Sequence, residues 1–272
     1  MYIIILYHSM ITYYLGHQGW TDFLSQYSIY ITFIQKQPPE TLSVILIYNP
    51  QLYQFVHTLF VENTHLNISI EQVQTTNTPT RCCVVCHTPG EKICPRTPTS
   101  NCIFPDISCY SNFQGLCCFD NPSTWFPHID NELHKGNSFV HAFYSYYSLP
   151  FETLWTNFNI ILDVYRSTIH TTRYLTYHII PDIIVTLPKD ETVTYISLRD
   201  TFNDILSAIP YLQASKEIHS IPSVYAMLLY LLQLKFGLFQ TTRIVIYTKN
   251  RDVDSPYRNL YHTPKLDNWT FL

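Results

Sequence analysis

Eight cysteines lie within one short stretch of the chain, and their spacing could hold a metal ion. Cys83 and Cys86 form a C-x2-C pair, which lets two thiolates bind the same tetrahedral Zn²⁺. Pro89 and Gly90 follow as a turn that can bring the backbone round behind the metal. The remaining six cysteines could complete this site or form a second one. The sequence therefore predicts a segment held together by structural zinc.

Disulfides and redox chemistry are the alternatives for these thiols. Residues 1–8 lack the basic region, the sustained apolar region and the cleavage site of a signal peptide. We therefore expect a reducing, intracellular location, where clustered cysteines favour metal over disulfide. A thioredoxin-like thiol needs the first cysteine of the pair at the start of a helix, and the run from Thr88 to Gly90 breaks a helix there. A secreted, disulfide-bonded protein stays an alternative.

A second group of metal-binding residue types follows the cysteines. We name it the His128–His141 set, and its members are His128, Asp130, Glu132, His134 and His141. Imidazoles and carboxylates of this kind could ligate a catalytic metal that keeps an open position. Their spacing fits no known template, and the simpler interpretation is a polar loop before a helix. A metal-dependent enzyme that uses His128, Asp130, His134 and His141 is thus a second alternative.

The absence of several short catalytic motifs excludes the enzyme classes that need them. Only six glycines are present, and none has the spacing of a G-x-x-x-x-G-K-[ST] phosphate loop or a G-x-G-x-x-G dinucleotide turn. The chain also lacks the H-E-x-x-H motif of zinc proteases and the G-x-S-x-G motif of α/β-hydrolases. We therefore predict a protein that is not an enzyme.

Charge is sparse and uneven along the chain. Charged residues make up 13% of the sequence, about half of the usual share, which suits a protein that works inside a complex and equally suits mutational bias in the genome that encodes it. The net charge is −4, but the residues from Lys235 onward carry six basic and three acidic side chains. Basic and aromatic residues that could contact phosphates and stack on bases alternate there: Arg243, Tyr247, Lys249, Arg251, Tyr257, Arg258, Tyr261, Lys265 and Trp269. The excess is small, so we favour a solvated or protein-contacting tail over a weak nucleic-acid contact.

The sequence pattern predicts that these residues are positioned by an α+β fold in four segments. Residues 1–75 form a small mixed N-terminal module, and residues 76–128 form the Cys-rich zinc-binding segment, with almost no regular period. Residues 129–248 form a mainly helical domain, and residues 249–272 form an irregular tail. In the first module we predict strands at Tyr2–Tyr7, Ser28–Ile34, Leu42–Tyr48 and Leu66–Val73 and a helix at Gln51–Val61.

Three apolar stripes with helical spacing predict most of the C-terminal half as helix. The stripes run from Phe151 to Tyr165, from a cap at Ser197 or Asp200 to a stop at Pro210, and from a cap at Ser223 to Gly237. A strand is predicted at Thr242–Thr248. The apolar segment from Ile221 to Phe239 is interrupted by Gln233 and Lys235, and its uncharged part is too short for a bilayer, which needs roughly 20 residues. We expect a buried core helix there and no membrane contact.

The order of these features resembles one protein family. The residues that carry the resemblance are Cys83-x2-Cys86, Cys94, Cys102 and Gly115-x2-Cys118, and amphipathic helices follow them. The most similar stretches are Ser220-Ile-Pro-Ser-Val224, Leu231-Leu-Gln-Leu234 and the run from Arg243 to Arg251. Over residues 80 to 255 the chain resembles the zinc-binding late-gene transcription regulators of beta- and gammaherpesviruses, which are small components of the viral pre-initiation complex.

The resemblance implies a ligand set and a function. The implied ligands of a structural Zn²⁺ are Cys83, Cys86, Cys94, Cys102 and Cys118. The implied function is that of a viral adaptor without enzymatic activity, which recruits RNA polymerase with other viral transcription-complex proteins at late promoters in the host nucleus. A metal-dependent enzyme and a secreted, disulfide-bonded viral surface protein stay as alternatives.

Overall fold

A computed structural model of the chain describes residues 10–15, 20–47, 50–62, 65–72, 113–116, 128, 131–165, 173–179, 187–248 and 264–272. The chain divides into two compact units. The first takes in residues 1–23 and 30–126, and the second takes in residues 24–29 and 127–272. Both contain helices and strands, which confirms the prediction of a mixed fold.

The first unit is built around a four-stranded parallel sheet. In chain order its elements are β1 (Met10–Leu15), α1 (Trp20–Gln35), β2 (Leu42–Ile47), α2 (Pro50–His57), a π-helical turn (Thr58–Glu62), β3 (Ile68–Gln72) and β4 (Phe113–Leu116). The strand order is β3-β2-β1-β4, and every neighbouring pair is parallel. Val44 to Ile47 in β2 form a continuous buried apolar run, as a parallel strand covered on both faces requires.

Aromatic side chains fill the core of this unit. Phe23 in α1 packs edge to face against Phe55 and Phe60, with ring centroids 5.8 and 5.7 Å apart. Tyr13 in β1 meets Tyr30 in α1 in the same way at 6.2 Å. Pairs of this kind contribute about 1 kcal/mol each beyond the burial of their surface. The core therefore ties both helices to the sheet.

The sequence predicted three elements of this unit and missed β1, α1 and β4. The strand at Leu42–Tyr48, the helix at Gln51–Val61 and the strand at Leu66–Val73 are confirmed as β2, α2 with its π-helical turn, and β3. The strand predicted at Ser28–Ile34 is wrong, because these residues lie inside α1. Residues 23–31 are buried on every side, so no polar face marks a helical period, and their Ile, Tyr and Thr have strand composition. The strand predicted at Tyr2–Tyr7 lies outside the described residues.

The second unit contains a five-stranded parallel sheet. In chain order its elements are α3 (Phe139–Tyr146), α4 (Thr153–Thr156), a 3₁₀ turn (Leu162–Tyr165), β5 (Tyr174–His178), β6 (Thr194–Ser197), α5 (Leu198–Thr201), a 3₁₀ turn (Leu206–Ala208), α6 (Ile209–Gln213), β7 (Ser215–Ser220), α7 (Val224–Phe236), β8 (Arg243–Ile246) and β9 (Trp269–Phe271). Residues 131–134 are also helical. The strand order is β6-β5-β7-β8-β9, with all pairs parallel. The order reverses at β5, which places a topological switch point between β5 and β7.

The helix α7 is the central helix of this unit. The side chain of Ser223 accepts a hydrogen bond from the Ala226 amide at its start, and Gly237 ends it with φ of 66°, a left-handed conformation that glycine adopts without strain. Residues Tyr225 to Gln233 are all buried. The predicted core helix is therefore confirmed at both of its ends. Across the described parts of the chain, every helix is too short or too polar to span a bilayer.

A mainly helical C-terminal half is not confirmed, because a sheet organises it. Of its five strands, only β8 was predicted. The helix predicted from Leu198 to Ile209 breaks after α5. Pro210 lies in the first turn of α6 instead of ending a helix, because proline fits the first turn, where its missing N–H costs nothing. The stripe from Phe151 to Tyr165 is helical only at its two ends. Within the predicted irregular tail, Trp269 to Phe271 form β9.

Candidate functional site

The predicted zinc ligands lie outside the described residues. These are Cys83, Cys86, Cys94, Cys102 and Cys118. Within the described ranges, no group of three or more His, Cys, Asp or Glu side chains is arranged to hold a metal ion. Zinc binding by the cysteines therefore stays a prediction.

The topology of the first sheet shows where the two cysteine-bearing stretches begin. One stretch follows Gln72 at the end of β3, and the other follows Leu116 at the end of β4. Both residues lie at the carboxyl edge of the sheet, because all of its strands are parallel. The strand order reverses at β1, so this edge also carries a topological switch point, next to β4. In α/β folds such an edge is the usual place for ligands.

The His128–His141 set is only partly assembled. The carboxylate of Glu132 is 7% exposed, and it accepts hydrogen bonds from Lys135 Nζ and Asn137 Nδ2, each at 2.7 Å. These two bonds hold the pKa of the Glu132 carboxyl below its ordinary value. His134 is exposed, and Asp130 lies outside the described residues. Glu132 therefore has partners for both of its oxygens, and neither partner is a metal ligand of the set.

His141 occupies a distinct, half-buried environment. Its Nδ1 atom lies 2.7 Å from the Ser138 hydroxyl, which also accepts the His141 amide hydrogen as the cap of α3. The imidazole stacks on Phe151 with ring centroids 3.3 Å apart. Burial lowers the pKa of His141 to about 4, and the nearby charge of Glu132 opposes this only in part. The ring is therefore neutral near pH 7.

An open pocket of about 400 Å³ brings two members of the set together. Glu132 and His141 line it with Asn137, Tyr144, Ser145, Ser148, Leu149, Pro150 and Phe151. Neither His128 nor His134 belongs to this lining; His128 instead packs edge to face on Tyr146 at 5.7 Å. The pocket thus pairs one carboxylate with one neutral imidazole, which is fewer ligands than a catalytic metal needs.

The C-terminal basic and aromatic residues are not grouped as a nucleic-acid surface where the structure describes them. Arg243 forms an ion pair with Glu217 at 2.8 Å. Trp269 is 6% exposed, and its indole N–H donates to Gln233 Oε1 in the core, so its ring face is not available to a base. Lys265 is exposed. The predicted Lys249, Arg251, Tyr257, Arg258 and Tyr261 lie outside the described residues.

The sequence analysis missed a polar cluster on β7 and β8. His219, which is 3% exposed, has its Nδ1 atom 2.7 Å from the Tyr247 hydroxyl. Its Nε2 atom lies 3.3 Å from Glu217 Oε1, and Arg243 Nη1 lies 2.8 Å from the same carboxylate oxygen. The rings of His219 and Tyr247 are nearly parallel, with an interplanar angle of 22°. We name Glu217, His219, Arg243 and Tyr247 the His219 cluster.

A signal for this cluster was present in the sequence but too short to stand out. Glu217 and His219 are two residues apart, so on a strand they share one face. Strand periodicity over Ser215 to Ser220 would have been needed to notice it, and that segment has only one apolar residue. The partner Tyr247 is 28 residues away from His219 and is brought close only by the pairing of β7 with β8.

Comparisons with known proteins add no relative. No protein-family model, no curated protein and no solved structure matches the chain. The resemblance to the herpesvirus regulators therefore stays a prediction, and any function has to be argued from the residues and the topology of the chain itself.

Proposed function

We propose that this chain is a viral zinc-binding adaptor, which acts through protein contacts in late gene transcription in the host nucleus. The observation that carries this proposal is the concentration of all eight cysteines in residues 82–118, with the C-x2-C pair at their start. The cysteines interrupt one unit of an α/β protein, between and directly after two strands of its sheet. Its partners in this role are other proteins of the viral transcription complex.

A structural role for the metal fits the residue types better than a catalytic role. The proposed ligands are four thiolates drawn from Cys83, Cys86, Cys94, Cys102 and Cys118, because one tetrahedral Zn²⁺ binds four. Such sites are closed and contribute on the order of 10 kcal/mol of binding free energy to folding, which is comparable to the net stability of a domain. A segment with few apolar residues and little periodicity needs this contribution, because it cannot bury a core of its own.

Metal content and folding of the full chain test the first half of the proposal. We expect about one zinc per chain by elemental analysis, and loss of zinc with partial unfolding on chelation. The double substitution Cys83→Ser and Cys86→Ser should abolish zinc binding. Substitution of Cys109, which has no assigned role, is the matched control and should leave zinc content unchanged. Purified chain with much less than one zinc, whose circular dichroism survives chelation, would contradict the proposal.

A late-promoter reporter assay tests the second half. An adaptor should lose activity with the Cys83 and Cys86 substitutions and keep it when His128 and His134 are replaced by alanine. Activity that instead depends on His128 and His134 would favour the metal-dependent enzyme. A change in electrophoretic mobility on reduction under denaturing conditions would favour the disulfide-bonded surface protein.

A further inference from the structure

The geometry points to a nucleophilic site in the second unit, in which the Tyr247 hydroxyl attacks an activated acyl or phosphoryl group. His219 accepts the phenol proton, and Glu217 positions His219. This inference is independent of the zinc-binding role, since it concerns side chains of the second unit alone.

The first observation is the pairing of a nucleophile with a base. The Tyr247 hydroxyl and His219 Nδ1 are 2.7 Å apart, within the range over which a proton passes directly between two groups. Burial lowers the pKa of His219, so its ring is neutral near pH 7 and its Nδ1 lone pair can accept the phenol proton. Burial raises the pKa of Tyr247, so transfer of its proton to His219 is unfavourable in the free protein and has to accompany formation of the bond to the electrophile.

The second observation is a third group that orients the base. Glu217 Oε1 lies 3.3 Å from His219 Nε2, and Arg243 holds the same carboxylate. The contact has ion-pair distance but not hydrogen-bond alignment, so Nε2 is buried with no hydrogen-bond partner among the described residues. Such bonds are often poorly aligned before substrate binds and tighten in the complex. Nucleophile, base and orienting carboxylate together form the arrangement that recurs in covalent catalysis.

The third observation is the place of the cluster in the fold. His219 lies near the carboxyl end of β7, and Tyr247 directly follows the carboxyl end of β8, where its amide donates to the Ser220 carbonyl at 2.8 Å. Parallel sheets place their active sites at this edge, beside the switch point, which here lies between β5 and β7. Tyr247 is half-buried, whereas His219 is 3% exposed, so the nucleophile of this pair is the residue that is partly open to solvent.

The reaction balances without any further reagent. The phenol oxygen forms a bond to the acyl carbon or the phosphorus, and the bond to the leaving group breaks with its electron pair. The phenol proton passes to His219 Nδ1, and the resulting imidazolium is stabilised by Glu217. His219 then returns the proton to the departing group, which restores the neutral ring.

Trapping with benzenesulfonyl fluoride tests for a base-assisted phenol. The full chain is treated with the reagent, and the labelling rate of each tyrosine is followed by peptide mass spectrometry. We expect Tyr247 to react at least about tenfold faster than Tyr195, which is 39% exposed and whose hydroxyl donates to the Pro188 carbonyl. Labelling of Tyr247 at the rate of Tyr195 would overturn the inference.

Two variants separate base assistance from mere exposure. His219→Gln should slow labelling of Tyr247 to the rate of Tyr195, and His134→Gln, an exposed histidine of the same unit, should not change it. If His219→Gln fails to fold, Glu217→Gln tests the same triad, with a smaller loss. The labelling rate is also measured over a range of pH. The titratable and charged groups that surround His219 and shape this profile are Glu217, Arg243, Tyr247 and Tyr177, its partner in β5. Unchanged labelling in a folded variant would refute the role of His219.

Two substrates then distinguish the transferred group. We expect p-nitrophenyl acetate or p-nitrophenyl phosphate to modify Tyr247 with release of p-nitrophenol, and the one that reacts identifies the class as acyl or phosphoryl. Reaction with neither, although the sulfonyl fluoride labels Tyr247, would overturn the assignment of a catalytic site.

Discussion

The two parallel sheets of this protein are built from different kinds of strand. In the first sheet, β2 has the sequence Leu-Ser-Val-Ile-Leu-Ile and buries four apolar residues in a row. In the second sheet, β7 has the sequence Ser-Lys-Glu-Ile-His-Ser, and its last three residues, Ile218, His219 and Ser220, are as fully buried as those of β2. Burial in the second sheet is therefore compatible with strands that look polar.

Local hydrogen bonds explain how the second sheet tolerates these groups. Ser215 donates to the Tyr211 carbonyl at 2.7 Å and lies 3.2 Å from the Thr176 hydroxyl, while His219 is held by Tyr247. A buried polar group without a partner costs roughly 1 to 3 kcal/mol, so each of these contacts removes a penalty rather than adding a large gain. Polar groups buried inside a parallel sheet therefore mark candidate sites for chemistry.

The largest effect should come from the buried apolar residues that each sheet contains. Ile45 in β2 and Ile244 in β8 are both 0% exposed, and replacing either by alanine should lower the free energy of unfolding by about 3 kcal/mol, through lost burial and the cavity left behind. Urea denaturation measures both. If only Ile45→Ala shows this loss, the second sheet does not depend on a hydrophobic core. The two sheets would then not be equally buried.

The next largest effect should be a loss of stability of the second unit at low pH, which a core of apolar residues alone would not show. The pKa of His141 falls from its ordinary 6.5 to about 4 on folding, so the unfolded chain binds more protons between these values. Stability should therefore decrease as the pH falls from about 6.5 to about 4. The depressed pKa of His219 acts in the same direction.

The variant His141→Gln isolates this contribution. Its unfolding free energy, measured by urea denaturation at several pH values, should decrease less than that of the wild type over the same interval. At pH 8 His141 and His219 are neutral, so the difference between the unfolding free energies of the two proteins at that pH is the baseline. Parallel pH profiles for the two proteins would show that His141 is not desolvated in the folded state.

Sequence predicted those elements whose signals are local. The ends of α7 followed from a serine cap and a glycine stop, and β2 followed from its apolar run, because both features depend on neighbouring residues only. Residues Ser28 to Ile34 were assigned to a strand, since a helix that is buried on all sides has no polar face. The parallel order of the two sheets was not predictable, because it depends on pairings between distant segments.

The same limit applies to the candidate sites. The cysteine pair was visible because its two members are three residues apart. The His219 cluster was not, because the register that pairs Ser220 with Ile246 brings Tyr247 to His219. His141 and Glu132 were named from the sequence, yet their contacts with Ser138, Asn137 and Phe151 depend on the turn before α3 and the loop after it.

Removing the Tyr247 hydroxyl should have an intermediate effect. Tyr247→Phe leaves His219 Nδ1 buried without its partner, and we expect the unfolding free energy to fall by about 1 to 2 kcal/mol. Tyr195→Phe is the matched control, because its hydroxyl lies in an exposed turn and its loss should cost less than about 0.5 kcal/mol. Equal values for the two variants, by urea denaturation, would mean that water replaces the lost hydroxyl as the partner of His219 Nδ1.

The smallest effect should come from the outer end of the His219 cluster. The Arg243 side chain is 59% exposed, so its ion pair with Glu217 is screened by solvent, and Arg243→Met should lower the unfolding free energy by less than about 1 kcal/mol. The loss should shrink in high salt, because exposed charges are screened there. Lys216→Met, which breaks the similarly exposed pair with Asp190, is the control and should behave alike. A salt-independent loss of more than about 2 kcal/mol for Arg243→Met alone would mean that Glu217 cannot be hydrated once it is unpaired. The polar character of β7 would then extend to a buried charge, which the exposed guanidinium argues against.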